Sequence, residues 1–408
     1  MPARYVVTLP PDRAGDEALA FAAAARRGGA QLLELRSDLT PDGAVDAAAL
    51  ARELPLLAAE RGRRLPAAWR EAAAEIDVPL GAPAEGATLR SWHAEAPLAP
   101  AEALAGWARL PPPGVPLKHV EPLGEPREGA RLLETQRLLV ERYGAGRVTV
   151  LPTGALALPF RALLAERNAL DYVALDERFA AAPGQRLLAD ARRAEGGTGR
   201  PRRGILGTGL AQSRSPERHE APFDRLDLPP DAPLDDLLSA LHPFYAGFAV
   251  TSPFKKAAAR LAGSPLPAVN TLCRTSSGWS GANTDVDGAL AAIRGLGAAG
   301  LTALGDGGAT AALRQVCVRE RIELSVVRRD ALPARPLAGT CVWTWPPELP
   351  PPASLRFAGA RVAVITYGPR AERIASAIRE RGGEPVGVGE RWFTAQADGQ
   401  ARLWAEEA

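Results

Sequence analysis

Cysteine, methionine and histidine are scarce in this chain of 408 residues, with three, one and four copies respectively. Cys273, Cys317 and Cys341 lie far apart, with no CxxC pair and no histidine at ligand spacing. That pattern supports neither a zinc site nor a disulfide framework, and it fits buried free thiols in a reducing cytoplasm. No metal is expected. The first ten residues contain no long apolar stretch, and no run of about eighteen apolar residues follows, so neither a signal peptide nor a membrane span is expected. Neither sign of charge dominates: 49 basic residues face 47 acidic ones, a net charge of +2. With no basic run interleaved with aromatics, nucleic acid is not an expected partner. Lysine is sparse while Ala, Arg, Gly and Pro abound, which looks like coding bias. What remains is an ordinary globular composition, 46% hydrophobic and 24% charged, in a chain long enough for two or three domains.

The first half alternates short β-prone runs with helical stretches. Strands are expected over residues 5–9, 31–35, 54–58, 76–80, 88–92, 115–120, 147–151 and 172–175, with helices over stretches such as 15–27 and 128–143. Eight such units in about 190 residues imply a (β/α)8 barrel, whose site lies at the C-terminal strand ends. One unit is defective. Only Gly81-Ala-Pro-Ala-Glu-Gly-Ala87 separates the fourth and fifth strands, too short for a crossover helix. Either a helix is lost or one strand is misassigned. A charged, Gly-rich segment at 189–202 reads as linker. A second α/β region starts at Gly204-Ile-Leu-Gly207 and resets at Gly300-Leu-Thr-Ala-Leu-Gly-Asp-Gly-Gly-Ala309, and residues 393–407 read as a closing helix.

The chemistry-bearing residues of the second half come in order. Gly305-Asp-Gly-Gly-Ala309 follows an apolar strand and opens the Ala-rich helix expected over 310–318. Glycines there let a backbone approach a pyrophosphate at the positive end of the helix. Arg328 and Arg329 end the next strand, 322–327, where arginine suits the 2′-phosphate of NADP; a solvated strand end fits them equally. Asp306 should weaken phosphate binding if it points inward. Before this loop come Ser213-Arg-Ser-Pro-Glu-Arg-His219, Val250-Thr-Ser-Pro-Phe-Lys-Lys256, Ala268-Val-Asn-Thr271 and Gly281-Ala-Asn-Thr-Asp285. Singly, each reads as well as a turn or helix cap. As an array of hydroxyls, amides, one lysine and one aspartate, they suit a small polyhydroxylated acid.

This ordered set, followed by Gly389-Glu-Arg-Trp-Phe-Thr-Ala-Gln-Ala397, resembles shikimate dehydrogenase over about residues 204–408. The resemblance implies reduction of 3-dehydroshikimate with NADPH. It implies Lys255 and Asp285 as catalytic residues. Ser213, Ser215, Thr251, Asn270, Tyr367 and Gln396 would contact substrate. Gly305, Gly307, Gly308, Ala309, Arg328 and Arg329 would hold NADP. A lysine paired with an aspartate can supply the proton that the reduced ketone oxygen needs. The chain departs from the family at Ala249 and Glu220, each where the family has Asn. It departs again at Val342-Trp-Thr-Trp-Pro346, in place of Asn-x-Thr-Pro.

In the first half Lys118 lies within a strand and His93 closes another. A lysine buried in a strand is costly unless its pKa falls, which also makes the amine nucleophilic; a strand-end lysine reaching solvent is the plain alternative. "ELRSD" (Glu34, Arg36), "SWH" (His93), "PLKHV" (Lys118) and "APGQ" (Gln185) resemble type I 3-dehydroquinate dehydratase over about residues 1–190. That resemblance implies an imine on Lys118 and proton transfer by His93. Glu34, Arg36, Arg61, Arg161 and Gln185 would bind substrate. Pro79 stands where the family has the Glu that orients the histidine. The two resemblances describe consecutive reactions.

The expected architecture is therefore a barrel over 1–190 and a linker over 191–203. A substrate domain follows over 204–290 with 391–408, and a Rossmann-like NADP domain over 291–390. The alternatives are a quinate/shikimate dehydrogenase with an impaired barrel and a non-catalytic ligand sensor.

Overall fold

The computed structural model describes residues 3–110, 114–195, 197 and 199–406. The chain forms two compact units, Met1–Tyr245 and Ala246–Ala408. No described helix is long and apolar enough to cross a membrane.

The first unit opens with β1 (Arg4–Thr8), α1 (Gly15–Gly28), β2 (Leu32–Arg36), α2 (Ala47–Glu53), β3 (Leu56–Ala59), α3 (Ala67–Ala72) and β4 (Glu75–Pro79). It continues with β5 (Leu89–His93), α4 (Pro100–Trp107), β6 (Leu117–Pro122), α5 (Pro126–Tyr143), β7 (Val148–Thr153), α6 (Ala157–Leu164) and β8 (Leu170–Ala174). All eight expected strands are present, shifted by one or two residues. They pair in parallel in the order β7-β6-β5-β4-β3-β2-β1-β8.

The last gap in the ring, between β7 and β8, is closed largely by side chains. Ala169 donates its amide to the Val148 carbonyl at 2.7 Å. Beside it, Asn168 accepts from the Val150 amide (2.8 Å) and donates to the Val150 carbonyl (3.0 Å), while Leu170 N–H donates to Thr149 Oγ1 (3.0 Å). Gln136 of α5 donates to Asn168 Oδ1 at 2.6 Å and fixes the amide. One carboxamide thus replaces a rung of the ladder. Asn168→Ala should leave two buried backbone groups unpaired at about 1–3 kcal/mol each. Denaturant unfolding and amide exchange at Val150 check this. Unchanged protection at Val150 would refute the seam's dependence on Asn168.

Between β4 and β5 there is no helix, yet the strands pair in parallel. A five-residue strand spans roughly 16 Å, which an extended loop of this length covers without a crossover helix. The buried Arg90 guanidinium fills the space, donating to the carbonyls of Pro79, Leu80 and Ala82 at 2.6–2.8 Å. The outer face of β5 is held by Trp92, whose ring lies 5.3 Å from His119 and 6.1 Å from Trp107. Gly106 permits that approach, because a Cβ there would sit 2.3 Å from Trp92. Inside the barrel, Val6, Leu32, Leu57, Leu89 and Leu170 form an apolar layer. Two residues further along several strands, Thr8, Glu34, Ser91 and Tyr172 form a polar layer with Asp77 and Lys118, as the period of two dictates.

Beyond the barrel come β9 (Arg186–Leu187), α7 (Leu188–Glu195), β10 (Arg202–Gly207), α8 (Ser215–Arg218), β11 (Phe223–Asp227) and α9 (Leu234–Leu241). The expected linker over 191–203 is therefore mostly ordered: residues 191–195 continue α7 and Arg202 starts β10, which pairs in parallel with β11. Two linker residues, Gly196 and Thr198, lie outside the described residues. A buried ionic network ties the β10–β11 pair to the barrel. Arg202 pairs with Asp224 and with Glu166 (2.6 Å), Tyr245 donates to Asp224 (2.8 Å), and Arg186 reaches Asp171 (3.1 Å) and Asp224 (3.7 Å). These contacts all lie within the first unit.

The second unit contains β12 (Tyr245–Val250), α10 (Lys255–Leu261), β13 (Thr271–Thr275), β14 (Gly278–Ala282) and α11 (Asp285–Ile293). Next come β15 (Gly300–Leu304), α12 (Gly308–Glu320), β16 (Glu323–Val327), β17 (Thr340–Trp343), β18 (Arg361–Val364), α13 (Pro369–Arg379), β19 (Glu384–Gly387) and α14 (Gly389–Glu406). Glu407, the last residue of the expected closing helix, lies outside the described residues. β12, β13 and β14 form an antiparallel run. The other five strands are parallel in the order β16-β15-β17-β18-β19, which reverses between β15 and β17. Ligands of open α/β sheets bind beyond the strand ends at such a reversal, where the Gly305 turn lies. Helix α14 returns to the antiparallel run: Gln400 donates to the Asn270 carbonyl (3.1 Å) and Trp404 to the Leu272 carbonyl (3.0 Å).

Candidate active sites

In the barrel's polar layer the Lys118 side chain is almost fully buried, with three acceptors around Nζ. Asp77 Oδ2 lies at 2.8 Å, the Tyr172 hydroxyl at 3.1 Å and Glu34 Oε1 at 3.5 Å. Burial lowers the lysine pKa, and Asp77 and Glu34 oppose that. Asp77 also accepts from Arg61 (2.6 Å), whose other nitrogen donates to Ser91 (2.9 Å). Burial works against its charge, but Lys118 and Arg61 outweigh it and hold the carboxyl at about 2. Asp77 was not singled out in the sequence. The signal was available: in the strand Glu75–Pro79 it shares a face with Pro79, where a carboxylate was missing.

His93 stands exposed at the end of β5, and its ring makes no hydrogen bond to any described residue. Desolvation, then the cations Arg61 and Lys118, push its pKa down to about 3, so the imidazole is neutral. With Pro79 at the end of β4, no carboxylate orients it there. Arg161 is buried in α6, where burial pushes its pKa down to about 10. It donates to the carbonyls of Pro152 (2.9 Å) and Tyr172 (3.3 Å) and has no carboxylate within ion-pair distance among the described residues. That suits an incoming carboxylate. Arg36, by contrast, is engaged by Asp38 of its own motif, at 2.7 Å and 3.1 Å. Gln185 folds its side chain back onto the amide of Ala181 (2.6 Å). With Pro183 and Arg225 it lines a cleft of about 440 Å³ that Lys118 and His93 do not line. Ser213 and Ser215 also belong to the first unit, their hydroxyls 3.4 Å apart at the start of α8.

In the second unit Lys255, the first residue of α10, donates to Asp285, the first residue of α11. The other oxygen of Asp285 accepts from Asn270 Nδ2 at 3.0 Å. Asn270 Oδ1 accepts from the Thr284 amide (2.8 Å) and the Thr271 hydroxyl (2.9 Å). The Asn270 amide, expected on substrate, also fixes the aspartate. Gln400 holds the Asn270 backbone from behind and was passed over in the sequence, one helical turn beyond Gln396. Gln396 and Thr251 are partly exposed, and their side chains make no hydrogen bond to described residues. Tyr367 packs on Phe393 at 5.2 Å. Ala249 pairs with Thr271 in the ladder, beside this network.

The Gly-rich turn adjoins the lysine, since a Cβ on Gly308 would lie 3.8 Å from Lys255 Cδ. Gly305 adopts φ +131°, and a Cβ there would meet Thr344 Oγ1 at 2.7 Å and Trp345 at 3.0 Å. Gly307 caps α12, whose first amides have no intrahelical acceptor. Asp306 is drawn outward to Arg314 (2.8 Å), which removes its expected conflict with a phosphate. These residues fit a dinucleotide phosphate. The two strand-end arginines are already engaged: Arg328 with Asp330 at 3.2 Å, Arg329 with the Pro350 carbonyl and the Trp345 ring. Trp343 and Trp345 are buried edge to face at 5.2 Å, filling the run that replaces Asn-x-Thr-Pro. Gly305→Ala should weaken binding of the phosphorylated dinucleotide at least about tenfold through strain at positive φ and the clash with Thr344. Isothermal titration checks it, and unchanged affinity would count against the turn as the phosphate cradle.

No family model matches the chain. Among curated proteins, shikimate dehydrogenase (NADP(+)) of Anaeromyxobacter sp. strain Fw109-5 is 31% identical over 258 residues, covering 50% of this chain and 91% of that protein. The chain belongs to the shikimate dehydrogenase family. Other shikimate dehydrogenases match over a shorter stretch. That of Microcystis aeruginosa is 36% identical over 152 residues, 31% of this chain and 51% of that protein. That of Anaeromyxobacter sp. strain K is 38% identical over 144 residues, so the chain spans about half the length of these two relatives. Among solved structures, shikimate dehydrogenase of Thermus thermophilus in complex with NADP(H) and shikimate is 27% identical, covers 50% of this chain and 94% of that one, and has a TM-score of 0.42. The dehydroquinate dehydratase and shikimate dehydrogenase from S. pombe AroM is 17% identical, covers 99% of this chain and 96% of that one, and has a TM-score of 0.38.

Proposed function

We propose that the chain is a bifunctional cytoplasmic enzyme that dehydrates 3-dehydroquinate in its barrel and reduces the resulting 3-dehydroshikimate to shikimate with NADPH. The observation that carries the reductase reading is the Lys255–Asp285 pair beside the Gly308 turn. Gly305, Gly307, Gly308 and Ala309 would hold the dinucleotide, which when bound supplies the hydride. Lys255, hydrogen-bonded to Asp285, donates the proton to the substrate oxygen. Asn270 holds Asp285 in place, and Thr284 holds Asn270. Thr251, Tyr367 and Gln396 remain the residues proposed to meet substrate hydroxyls.

In the barrel, Lys118 is the proposed imine former, neutral His93 the base, and Arg161 the partner of the substrate carboxylate. A second reading, a quinate/shikimate dehydrogenase with an impaired barrel, is favoured by the unpartnered His93 beside Pro79. One purified sample separates them. NADP-linked oxidation of shikimate or quinate, followed by nicotinamide absorbance, reads the second unit; conversion of 3-dehydroquinate reads the barrel. Absence of shikimate turnover would overturn the reductase. Shikimate turnover without dehydration would leave the second reading standing.

A further inference from the structure

Three hydrogen-bond acceptors surround Lys118 Nζ, the number an ammonium can satisfy: Asp77 at 2.8 Å, Tyr172 at 3.1 Å and Glu34 at 3.5 Å. Asp77 is fully buried, and its second oxygen, Oδ1, has no hydrogen-bond partner among the described residues. Such an orphan acceptor is costly unless the site is built to be filled. On the dehydratase reading, Lys118 condenses with a ketone. The lysine ammonium and the ketone give an iminium and one water: the C–N bond forms, the C–O bond breaks, and the oxygen leaves with two of the three ammonium hydrogens. One N–H and one positive charge stay on nitrogen.

We infer that Asp77 is a further catalytic residue of the barrel: Oδ2 receives the remaining N–H of the iminium and keeps it protonated, while Oδ1 accepts a hydrogen bond from substrate. A carboxylate at this distance favours the charged form of its neighbour. An iminium, unlike a neutral imine, draws electrons from the adjacent carbon and acidifies its proton, which His93 then takes. Glu34 and Tyr172, released from nitrogen, become acceptors for substrate hydroxyls. This inference rests on the dehydratase reading. The charged or titratable groups facing the nitrogen are Glu34 from β2, Arg61 after β3, Asp77 from β4, His93 from β5 and Tyr172 from β8. Arg61 also bonds Asp77, so the carboxylate is held in position by a group that does not react.

The test is trapping on the full chain with 3-dehydroquinate. Cyanoborohydride reduces the iminium selectively, borohydride the imine in either form, and intact mass counts the adduct. The midpoint of cyanoborohydride trapping against pH is expected to fall by about 1–3 units in Asp77→Asn. Asp77→Glu should recover it in part, Glu34→Gln should shift it less, and Tyr172→Phe should leave it in place. An unchanged midpoint in Asp77→Asn, or a larger shift in Glu34→Gln, overturns the inference. Wild type supplies a measurement independent of any variant's folding: its midpoint must lie above that of the imine of N-α-acetyl-lysine with the same ketone, and an equal or lower value also overturns it. Absence of any Lys118 adduct with borohydride would instead remove the dehydratase reading itself, and the inference with it.

Discussion

Lys255→Met is expected to lower kcat for NADP-linked shikimate oxidation by about 10²–10⁴-fold, the usual contribution of a positioned acid or base. The reason is local. Lys255 opens α10, its Cδ passes beside Gly308, and its amine meets a carboxylate held by Asn270, which Thr284 holds in turn. Methionine keeps the length and the packing against Gly308 but can carry no proton. Lys256, adjacent and exposed, is the control, and Lys256→Met should turn over at the wild-type rate. Asp285→Asn keeps the shape and removes the charge that positions the lysine, so its loss should be in kcat. Steady-state kinetics with shikimate and NADP decide the matter. A Lys255→Met enzyme with near-normal kcat and only a raised KM would assign the lysine to binding and sink the proton-donor role.

The second large effect belongs to the barrel. Lys118→Ala should abolish the borohydride adduct and lower 3-dehydroquinate turnover by at least about 10³-fold, since no other amine lies in the polar layer to take over as nucleophile. Shikimate oxidation by the same protein should be unchanged, which makes the second unit an internal check on amount and integrity. The stability cost should stay below the roughly 3–5 kcal/mol that breaking a buried ion pair entails, because Arg61 at 2.6 Å still partners Asp77. Turnover with Lys118 absent would show that dehydration here does not pass through an imine.

Much of this was legible in the residues, for physical reasons. Barrel strands are short apolar runs, so all eight stood out, and the loop between β4 and β5 declared its missing helix by length alone. Lys118 and Lys255 were found by motif; with the exposed Lys256 they are the chain's three lysines, among 49 basic residues. Asn168 and Gln400 were not legible, because each acts on a group distant in sequence and nothing local distinguishes either amide from its solvated equivalents. Asn270 was found, but only the fold shows its side chain bonded to Thr271, Thr284 and Asp285. The engagement of Arg328 by Asp330 depends on a turn that no pattern announces.

The ionic network around Asp224 bears on how the chain could be divided. A cut near residue 200, the natural place on composition, would leave β10 and β11 on the C-terminal fragment. Arg202 and Asp224 would then part from Glu166, Arg186 and Asp171, groups that lie in or against the barrel. Each fragment would expose charged side chains that the intact protein keeps buried and matched. Two genes made by splitting there would therefore encode partners that must find each other to be stable, whereas a joint chain begins with that encounter already made. The covalent link thereby protects a buried ionic interior.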